Sequence, residues 1–445
     1  MTLFLQANIL TTLQAVDRPA VCNALGAMEG MRRTTGLTRT LVISPVRRCP
    51  PWQASPGLPG DPVDAGQHGA VPTEPGLAKQ LPAAIDLATR RQQPLTEPMM
   101  KGHAMTDLTS RLIRYADLRP CRNAFVDTRS PGSEAKENFT LIGPGVSENP
   151  NQHVHIPEPH GFNIGAARQP GHCLNSQHSH ETAEVFIIHN GHWRFKWGPD
   201  GKDGYIDLSE GDVISLPIDM FRGFENLGMP QDVNFAFAIL GGDDPGKVTW
   251  SPPVFELARR FGMVLLDGGK LIDTTAGETV PAGAQLQAPP DAATLARLAS
   301  PSSEQMAQGV VRFKDLKPNP ASPLAGPGVE ECPVIVPRAT RDHFKPGPIT
   351  GWWPHGFNLR CLKMASGAHV PAHVRHEEEV LLVHSGTMEV TLPDGQVVMG
   401  AGDTFTTPKG HARSFRATSS DGCVAYVVRG GDEAGAVAFV RAKAA

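Results

Sequence analysis

The chain has 445 residues, of which 41 are Lys or Arg and 45 are Asp or Glu, and its formal net charge is −4 at pH 7. This length allows two or three domains with cores of their own, and the balanced charge excludes the strongly basic surface that nucleic acid selects. Apolar stretches stay short of the roughly 18 to 20 residues that cross a bilayer, and the scattered cysteines form no Cys-x-x-Cys pair, so we expect a cytoplasmic protein.

Residues 1–104 are predicted to be a leader without a core of its own. Residues 50–76 are dense in proline and glycine and show no apolar period, which is typical of disordered sequence. Residues 13–45, which include LQAVDRPAVCNALGAMEG, resemble the opening of the hydroxymethyl-oxoglutarate aldolase family, and the likeness then stops. Two alternatives follow: translation starts at Met105 and the leader is a relic, or the leader is a genuine tail.

Short strands separated by turns are predicted in two regions, from about residue 120 to 250 and again from about residue 330. Segments such as AEVFIIHNG and HWRFKW in the first region, and EVLLVHSG and TMEVTL in the second, are rich in β-branched and aromatic residues. The expected domains are therefore residues 105–270 and 330–445. An Ala/Pro/Gly-rich linker at residues 271–329 is expected to join them.

The two regions read as copies of each other. The segment Pro159-His-Gly-Phe-Asn163 recurs as Pro354-His-Gly-Phe-Asn358, a match that an internal duplication explains. The same alignment pairs His178 with His373, Glu184 with Glu379 and, after a shorter loop, Arg222 with Arg413.

The first copy contains two spaced patterns of histidine, glutamate, glycine and proline. They are His178-x-His180-x3-Glu184-x6-Gly191 and Gly211-x5-Pro217. These patterns resemble the two motifs of the RmlC-like cupin superfamily, although Arg222 stands where the family has its last histidine. The resemblance implies a bicupin, which is an all-β chain of tandem jelly-roll barrels with short connecting helices, each barrel closed by two sheets.

A metal site is predicted in the first copy at His178, His180 and Glu184. The three positions have the same parity, so on extended backbone their side chains can converge on one face inside the barrel. Two imidazoles and one carboxylate form the set that binds iron(II) facially, and manganese, nickel and zinc are the alternatives. The competing interpretation is a polar strand whose side chains are solvated.

Arg222 is predicted to act beside this metal, because a guanidinium cannot ligate a metal but can pair with an anionic substrate. The alternative is a structural role, with Arg222 pointing outward or paired with Glu225. Phe221 and Trp193 are candidate walls of a substrate pocket, and the alternative for both is the barrel core.

The second copy keeps His373 and Glu379 but has Arg375 and Arg413 in place of the other two histidines of the motif. Two cations oppose metal binding, so a degenerate barrel with an internal Arg–Glu pair is expected. The alternative is a second metal site that recruits His376 and His411.

The leading hypothesis for function is an iron(II) dioxygenase that cleaves a carbon–carbon bond of an anionic aromatic or enolisable small molecule, with O2 as co-substrate. One alternative is a redox-neutral metal-dependent isomerase, lyase or decarboxylase. The other is a bicupin that binds a metabolite without catalysis. A homo-oligomer is expected, without a nucleic-acid or membrane partner.

Overall fold

The computed structural model describes residues 108–336, 346–349, 354–432 and 435–440. The predicted leader and its aldolase-like segment lie outside these residues. The described chain folds into two antiparallel barrels of the jelly-roll type, so the predicted all-β fold class is confirmed. None of the helices in this part of the chain is long and apolar enough to cross a membrane.

The first half of the described chain contains fifteen strands and all three α-helices. The strands are β1 (Leu112–Ile113), β2 (Glu137–Ile142), β3 (Val154–Ile156), β4 (Phe162–Gln169), β5 (Leu174–Ser179), β6 (Glu184–Ile188), β7 (His192–Trp197), β8 (Gly204–Ser209), β9 (Val213–Leu216), β10 (Arg222–Asn226), β11 (Asn234–Gly241), β12 (Thr249–Trp250), β13 (Met263–Leu265), β14 (Leu271–Asp273) and β15 (Val310–Val311). The helices are α1 (Pro252–Arg260), α2 (Ala292–Leu295) and α3 (Ser303–Gln308).

The second half contributes ten further strands. They are β16 (Val329–Ile335), β17 (Phe357–Met364), β18 (His369–Val374), β19 (Glu379–Gly386), β20 (Met388–Leu392), β21 (Gly395–Met399), β22 (Thr404–Thr407), β23 (Arg413–Ala417), β24 (Cys423–Gly430) and β25 (Ala438–Phe439). Short 3₁₀ helices lie at Leu108–Arg111, Tyr115–Asp117, Val126–Arg129, Thr274–Ala276 and Phe313–Asp315.

The first barrel encloses its core between a seven-stranded and a five-stranded sheet. Their strand orders are β15-β9-β6-β11-β4-β2-β3 and β12-β5-β10-β7-β8. Along β7, Trp193, Phe195 and Trp197 are buried and alternate with more exposed residues, as expected for a strand with one face on a core. Phe186 of the facing sheet packs on Phe195, with ring centroids 5.0 Å apart.

The second barrel repeats this arrangement with a six-stranded and a five-stranded sheet. The strand orders are β1-β22-β19-β24-β17-β16 and β21-β20-β23-β18-β25. Val390, Phe405 and Phe415 belong to its fully buried interior. The duplication inferred from sequence is therefore a duplication of structure.

The larger sheets of the two barrels pack against each other. Phe162 of the first and Phe357 of the second lie in one buried cluster, with ring centroids 6.1 Å apart. The repeated Pro-His-Gly-Phe-Asn segment makes reciprocal contacts here, because His160 Nε2 lies 2.6 Å from Thr406 Oγ1 and His355 Nε2 lies 2.7 Å from Ser215 Oγ. The repeat is thus explained by barrel–barrel packing.

Each barrel also receives a short strand from outside its own repeat. Strand β1 pairs with β22 of the second barrel, and β15, from the predicted linker, pairs with β9 of the first. A buried aspartate holds each exchanged strand in place. Asp403 accepts hydrogen bonds from Arg114 Nη1 and the Tyr115 amide. Asp212 accepts them from Arg312 Nη1 and the Phe313 amide. The two barrels are therefore tied together covalently and by exchanged strands.

Asp212→Ala is expected to destabilise the chain by about 1–3 kcal/mol, because it leaves donors in a largely buried site without their acceptor. Asp207→Ala is the matched control, since it removes only the exposed pair with Arg194 and should cost about 0–1 kcal/mol. The free energy of unfolding in urea measures both. Equal losses in the two variants would show that the exchanged strand is not held by Asp212.

Candidate metal centre

Strands β5 and β6, which belong to the two facing sheets of the first barrel, bring His178, His180 and Glu184 together in its interior. His178 lies near the end of β5, His180 follows that strand directly, and Glu184 opens β6. All three side chains are buried, with exposed fractions of 3% to 5%. One ligand atom from each lies within 4.8 Å of the others, so the three residues could hold a metal ion together.

The orientation of the histidines suits metal ligation. His178 Nδ1 lies 2.7 Å from the Ser176 carbonyl oxygen, and donation of its proton there leaves the Nε2 lone pair available to a metal. His180 Nε2 lies 3.6 Å from Glu184 Oε1, while its Nδ1 has no hydrogen-bond partner among the described residues.

Burial sets the protonation of the site. It lowers the pKa of His178 to about 3 and that of His180 well below its ordinary value, and the Arg222 charge lowers both further. Burial also raises the pKa of Glu184, an effect that Arg222 opposes. Both imidazoles are therefore neutral in the ordinary pH range, and with the carboxylate they form the donor set that suits iron(II) and other divalent metals.

Arg222 lies inside the barrel, where β10 pairs with His178 of β5. Its side chain is fully buried: Nε donates to Glu184 Oε2 at 3.0 Å, and Nη1 donates to the Met220 carbonyl at 3.0 Å. Glu225, the partner considered in the sequence, instead accepts from Lys196 Nζ at 2.7 Å. Arg222 thus contacts a ligand of the candidate metal directly.

A largely apolar cavity opens beside the three candidate ligands, with about 650 Å³ of empty volume including its mouth. Its aromatic lining consists of Phe125, Phe139, Phe186, Phe224 and Trp250. Trp193 and Phe221, the walls predicted from sequence, lie elsewhere: Trp193 belongs to the packed barrel core, and Phe221 is buried outside the cavity lining. Arg222 is not part of the lining either.

Two residues that the sequence analysis missed support His178 from the side. Trp250 of β12 pairs with His178 of β5, and the two ring centroids are 5.4 Å apart. Trp250 Nε1 donates to Glu148 Oε1 at 2.6 Å, and the Val126 amide donates to Glu148 Oε2 at 2.7 Å. Burial raises the pKa of this glutamate to about 7.

A buried ion pair lies behind the same histidine. Lys136 Nζ contacts Asp127 and donates to Asn175 Oδ1 at 2.8 Å, and Asn175 Nδ2 lies 3.5 Å from His178 Nδ1. Burial alone would raise the pKa of Asp127, but Lys136 and the Ser176 amide together hold it below its ordinary value. This support was invisible in the sequence, because it depends on a 3₁₀ turn packing on a later strand.

Glu148→Gln is expected to change the pH dependence of stability. Because the pKa of Glu148 is higher in the folded chain than its ordinary value of 4.5, the wild type should lose stability as the pH rises from 4.5 to about 7. The loss should be about 2 kcal/mol, allowing for partial exposure, and should be absent from the variant.

Unfolding in urea at about pH 5 and about pH 8 measures this difference, with the exposed Glu256→Gln as control. A Glu148→Gln chain that keeps the wild-type pH slope would show that Glu148 is ionised in the fold throughout this range.

The corresponding site of the second barrel is filled by arginine. His373, Arg375, Glu379 and Arg413 are at most 1% exposed. The expected Arg–Glu pairing is present, since Arg413 Nε lies 3.4 Å from Glu379 Oε1, and Arg429 Nε donates to Glu379 Oε2 at 2.7 Å. These guanidinium charges outweigh the effect of burial and lower the pKa of Glu379.

The described residues of this second site do not form a metal-ligand group. In the described part of the chain, His178, His180 and Glu184 form the one group of His, Cys, Asp and Glu side chains placed to hold a metal. His376 and His411, the residues that a second metal would recruit, are not in that group.

The fold and the sequence together define the class of protein. The profile of the cupin domain matches residues 361–429, which lie in the second barrel. The first barrel repeats this architecture and carries the histidine–glutamate motif of the superfamily. The chain therefore has the fold of two tandem cupin-type barrels, of which the second matches the cupin domain.

Solved structures of similar fold include two oxalate decarboxylases. The Bacillus subtilis enzyme at pH 4.6 is 10% identical, covers 76% of this chain and 79% of its own, and gives a TM-score of 0.47. The formate complex of the Lactobacillus farciminis enzyme is 11% identical, covers 77% of this chain and 91% of its own, and also gives 0.47. A search of curated proteins found no match to the chain.

Proposed function

We propose that the chain is a metal-dependent enzyme whose first barrel oxygenates a small, largely apolar molecule with an enolisable or anionic group. One observation carries the proposal. The three candidate ligands face an apolar cavity in which, of the described lining residues, they are themselves the only titratable ones.

The lack of other titratable side chains in the described cavity lining distinguishes reactions that require proton transfer from reactions that do not. Isomerases, lyases and decarboxylases move protons and need an acid or base within hydrogen-bond reach of the substrate. Oxygenation instead needs a dry cavity and a metal with open coordination positions. Iron(II) is the proposed metal because it supplies redox chemistry with O2, and manganese, nickel and zinc are the alternatives.

The side chains of the chain would bind and orient the substrate. The aromatic lining excludes water and packs on an apolar ring. Asn138 Nδ2 and Gln152 Oε1 belong to cavity-lining residues and are buried without hydrogen-bond partners in the described structure. They provide one donor and one acceptor for the oxygens and hydroxyls of a substrate.

Arg222 is assigned a positioning role in place of the substrate clamp expected from sequence. Its Nε donates to Glu184 and its Nη1 to the Met220 carbonyl, so it orients the carboxylate towards the two histidines and opposes the rise in the pKa of Glu184 that burial causes. Arg222→Gln is expected to weaken metal binding by about 10- to 100-fold. Calorimetric titration with manganese measures this effect, and Arg222→Lys should restore part of it. If metal affinity is unchanged and substrate binding is weakened, Arg222 binds the substrate and the positioning role is wrong.

A redox-neutral reaction is the second candidate, and Glu148 is the observation that favours it. Its pKa of about 7 suits a general acid or base, and it lines a second cleft that shares Ser147 and Trp250 with the cavity. Oxalate decarboxylases belong to this reaction class, but the likeness to them concerns the fold alone.

An oxygen electrode separates the two reactions. The iron-loaded full chain is screened against catechols, hydroxybenzoates, flavonols and β-diketones, and oxygen uptake in proportion to product is expected for one of these classes. Turnover that continues without oxygen would replace the proposal with the redox-neutral reaction. Binding of a metabolite without turnover or bound metal would replace both with a non-catalytic bicupin.

A further inference from the structure

The interior of the second barrel carries more guanidinium groups than the matching site of the first. Arg375 stands at the position of His180, and Arg413 at the position of Arg222. His373 pairs with Arg413 across β18 and β23 just as His178 pairs with Arg222 across β5 and β10. Both barrels therefore hold an arginine at the Arg222 and Arg413 position, and the second barrel adds Arg375 where the first has the imidazole of His180.

Two fully buried carboxylates, Glu379 and Glu331, lie among the buried guanidinium groups of Arg360, Arg375, Arg413 and Arg429, so the positive charges outnumber the negative ones here. Glu379 Oε2 accepts from Arg429 Nε at 2.7 Å, whereas Arg413 Nε and Arg375 Nε remain 3.4 Å and 3.9 Å from the Glu379 oxygens. The second bond of Arg413, from Nη2 to the Pro408 carbonyl, is also long at 3.4 Å. Arg413 thus lies close to Glu379 without a hydrogen bond of ordinary length to it.

Several buried polar atoms in this interior lack a protein partner. Arg413 Nη1, Arg429 Nη2 and His373 Nε2 have no hydrogen-bond partner within the described ranges, although all three side chains are at most 1% exposed. Glu379 Oε1 is also without one, but Arg413 Nε faces it at 3.4 Å. Buried guanidinium groups normally have their donors satisfied. An acceptor-rich group is the natural complement to the two arginines.

His373 adds a second element of recognition. Its Nδ1 lies 2.9 Å from the Pro371 carbonyl oxygen, and donation there leaves Nε2 with a lone pair. The interior therefore combines guanidinium donors with one imidazole acceptor. A carboxylate matches the first, because Arg pairs with it in a planar, bidentate geometry, and a hydroxyl group matches the second.

We propose that the interior of the second barrel binds a small hydroxycarboxylate, with its carboxylate on Arg413 and Arg429 and its hydroxyl donating to His373 Nε2. The size of the ligand follows from the fold, since small barrels of this type hold at most one small molecule between their side chains. This site is independent of the proposed function, which concerns the first barrel.

Calorimetric titration of the full chain with glycolate, acetate, inorganic phosphate and chloride tests the proposal. Glycolate is expected to bind once per chain and at least about tenfold more tightly than acetate, because only glycolate has the hydroxyl. Arg413→Gln should abolish this binding, whereas Arg416→Gln, an exposed residue on the same strand, should leave it unchanged. His180→Ala should also leave it unchanged, which excludes binding at a metal of the first barrel.

His373→Leu is the second variant, in case Arg413→Gln does not fold. It is expected to retain acetate binding and to lose the preference for glycolate. The proposal is overturned if none of the anions binds, if phosphate or chloride binds more tightly than glycolate, or if Arg413→Gln folds and binds glycolate like the wild type.

Discussion

Replacing Glu184 with glutamine is expected to weaken divalent-metal binding by more than about 100-fold, because residues that merely orient a ligand already contribute 10- to 100-fold. The carboxylate is the one negative charge among the three candidate ligands, and its loss leaves the fully buried Arg222 facing the site without a counter-charge. A cation would then have to bind next to an unpaired guanidinium. Metal content per chain and calorimetric titration with manganese measure the change.

Glu225→Gln is the matched control for this variant. Glu225 lies on the same strand as Arg222 but pairs with Lys196 away from the site, so its replacement should leave metal binding unchanged. If Glu184→Gln binds manganese like the wild type, Glu184 is not a ligand.

Arg429→Met is expected to be the most destabilising change in the second barrel, with a loss of about 3–5 kcal/mol in the free energy of unfolding. Arg429 contacts two fully buried carboxylates, Glu379 at 2.7 Å and Glu331 at 3.2 Å. Methionine can fill the space but leaves both negative charges with fewer partners in a medium that solvates them poorly.

Arg416→Met is the control for this prediction, since Arg416 is exposed on β23 and its loss should change stability by less than about 0.5 kcal/mol. Urea unfolding followed by circular dichroism compares the two variants. A similarly small loss for Arg429→Met would show that packing rather than charge pairing holds this interior.

The fold could be predicted from the sequence because the repeat is local and regular. The Pro-His-Gly-Phe-Asn segment and the spacing of His178, His180 and Glu184 are visible without knowledge of any long-range contact. Period-two alternation predicts one face for the three side chains. The structure instead brings them within 4.8 Å of one another from two facing sheets, because His178 lies on β5 and Glu184 on β6.

Other parts of the site depend on contacts that a single chain segment does not specify. Trp250 supports His178 only because β12 pairs with β5, and Glu148 supports Trp250 from a loop about a hundred residues earlier. The parity of Trp193 correctly predicts an inward side chain, but parity does not distinguish the packed end of a barrel from its open end. The sequence therefore leaves Trp193 as either a pocket wall or a core residue, and the structure places it in the core.

The exchanged strands were overlooked although a signal existed. Arg114-Tyr-Ala-Asp-Leu118 and Arg312-Phe-Lys-Asp-Leu316 are a second short repeat in the sequence. Each copy docks on an aspartate of the barrel next to it, which places β15 of the predicted linker in the first barrel. Composition identified that region as a linker, because two-residue strands leave no alternation to detect.

Anomalous diffraction from crystals of the full chain, grown with a divalent metal and recorded at its absorption edge, tests the central claim most directly. The expected result is one strong peak per chain, bonded to His178, His180 and Glu184, and no peak at Glu379 in the second barrel. A metal peak among the arginines of the second barrel, or one in the first barrel that does not contact these three side chains, would contradict the account.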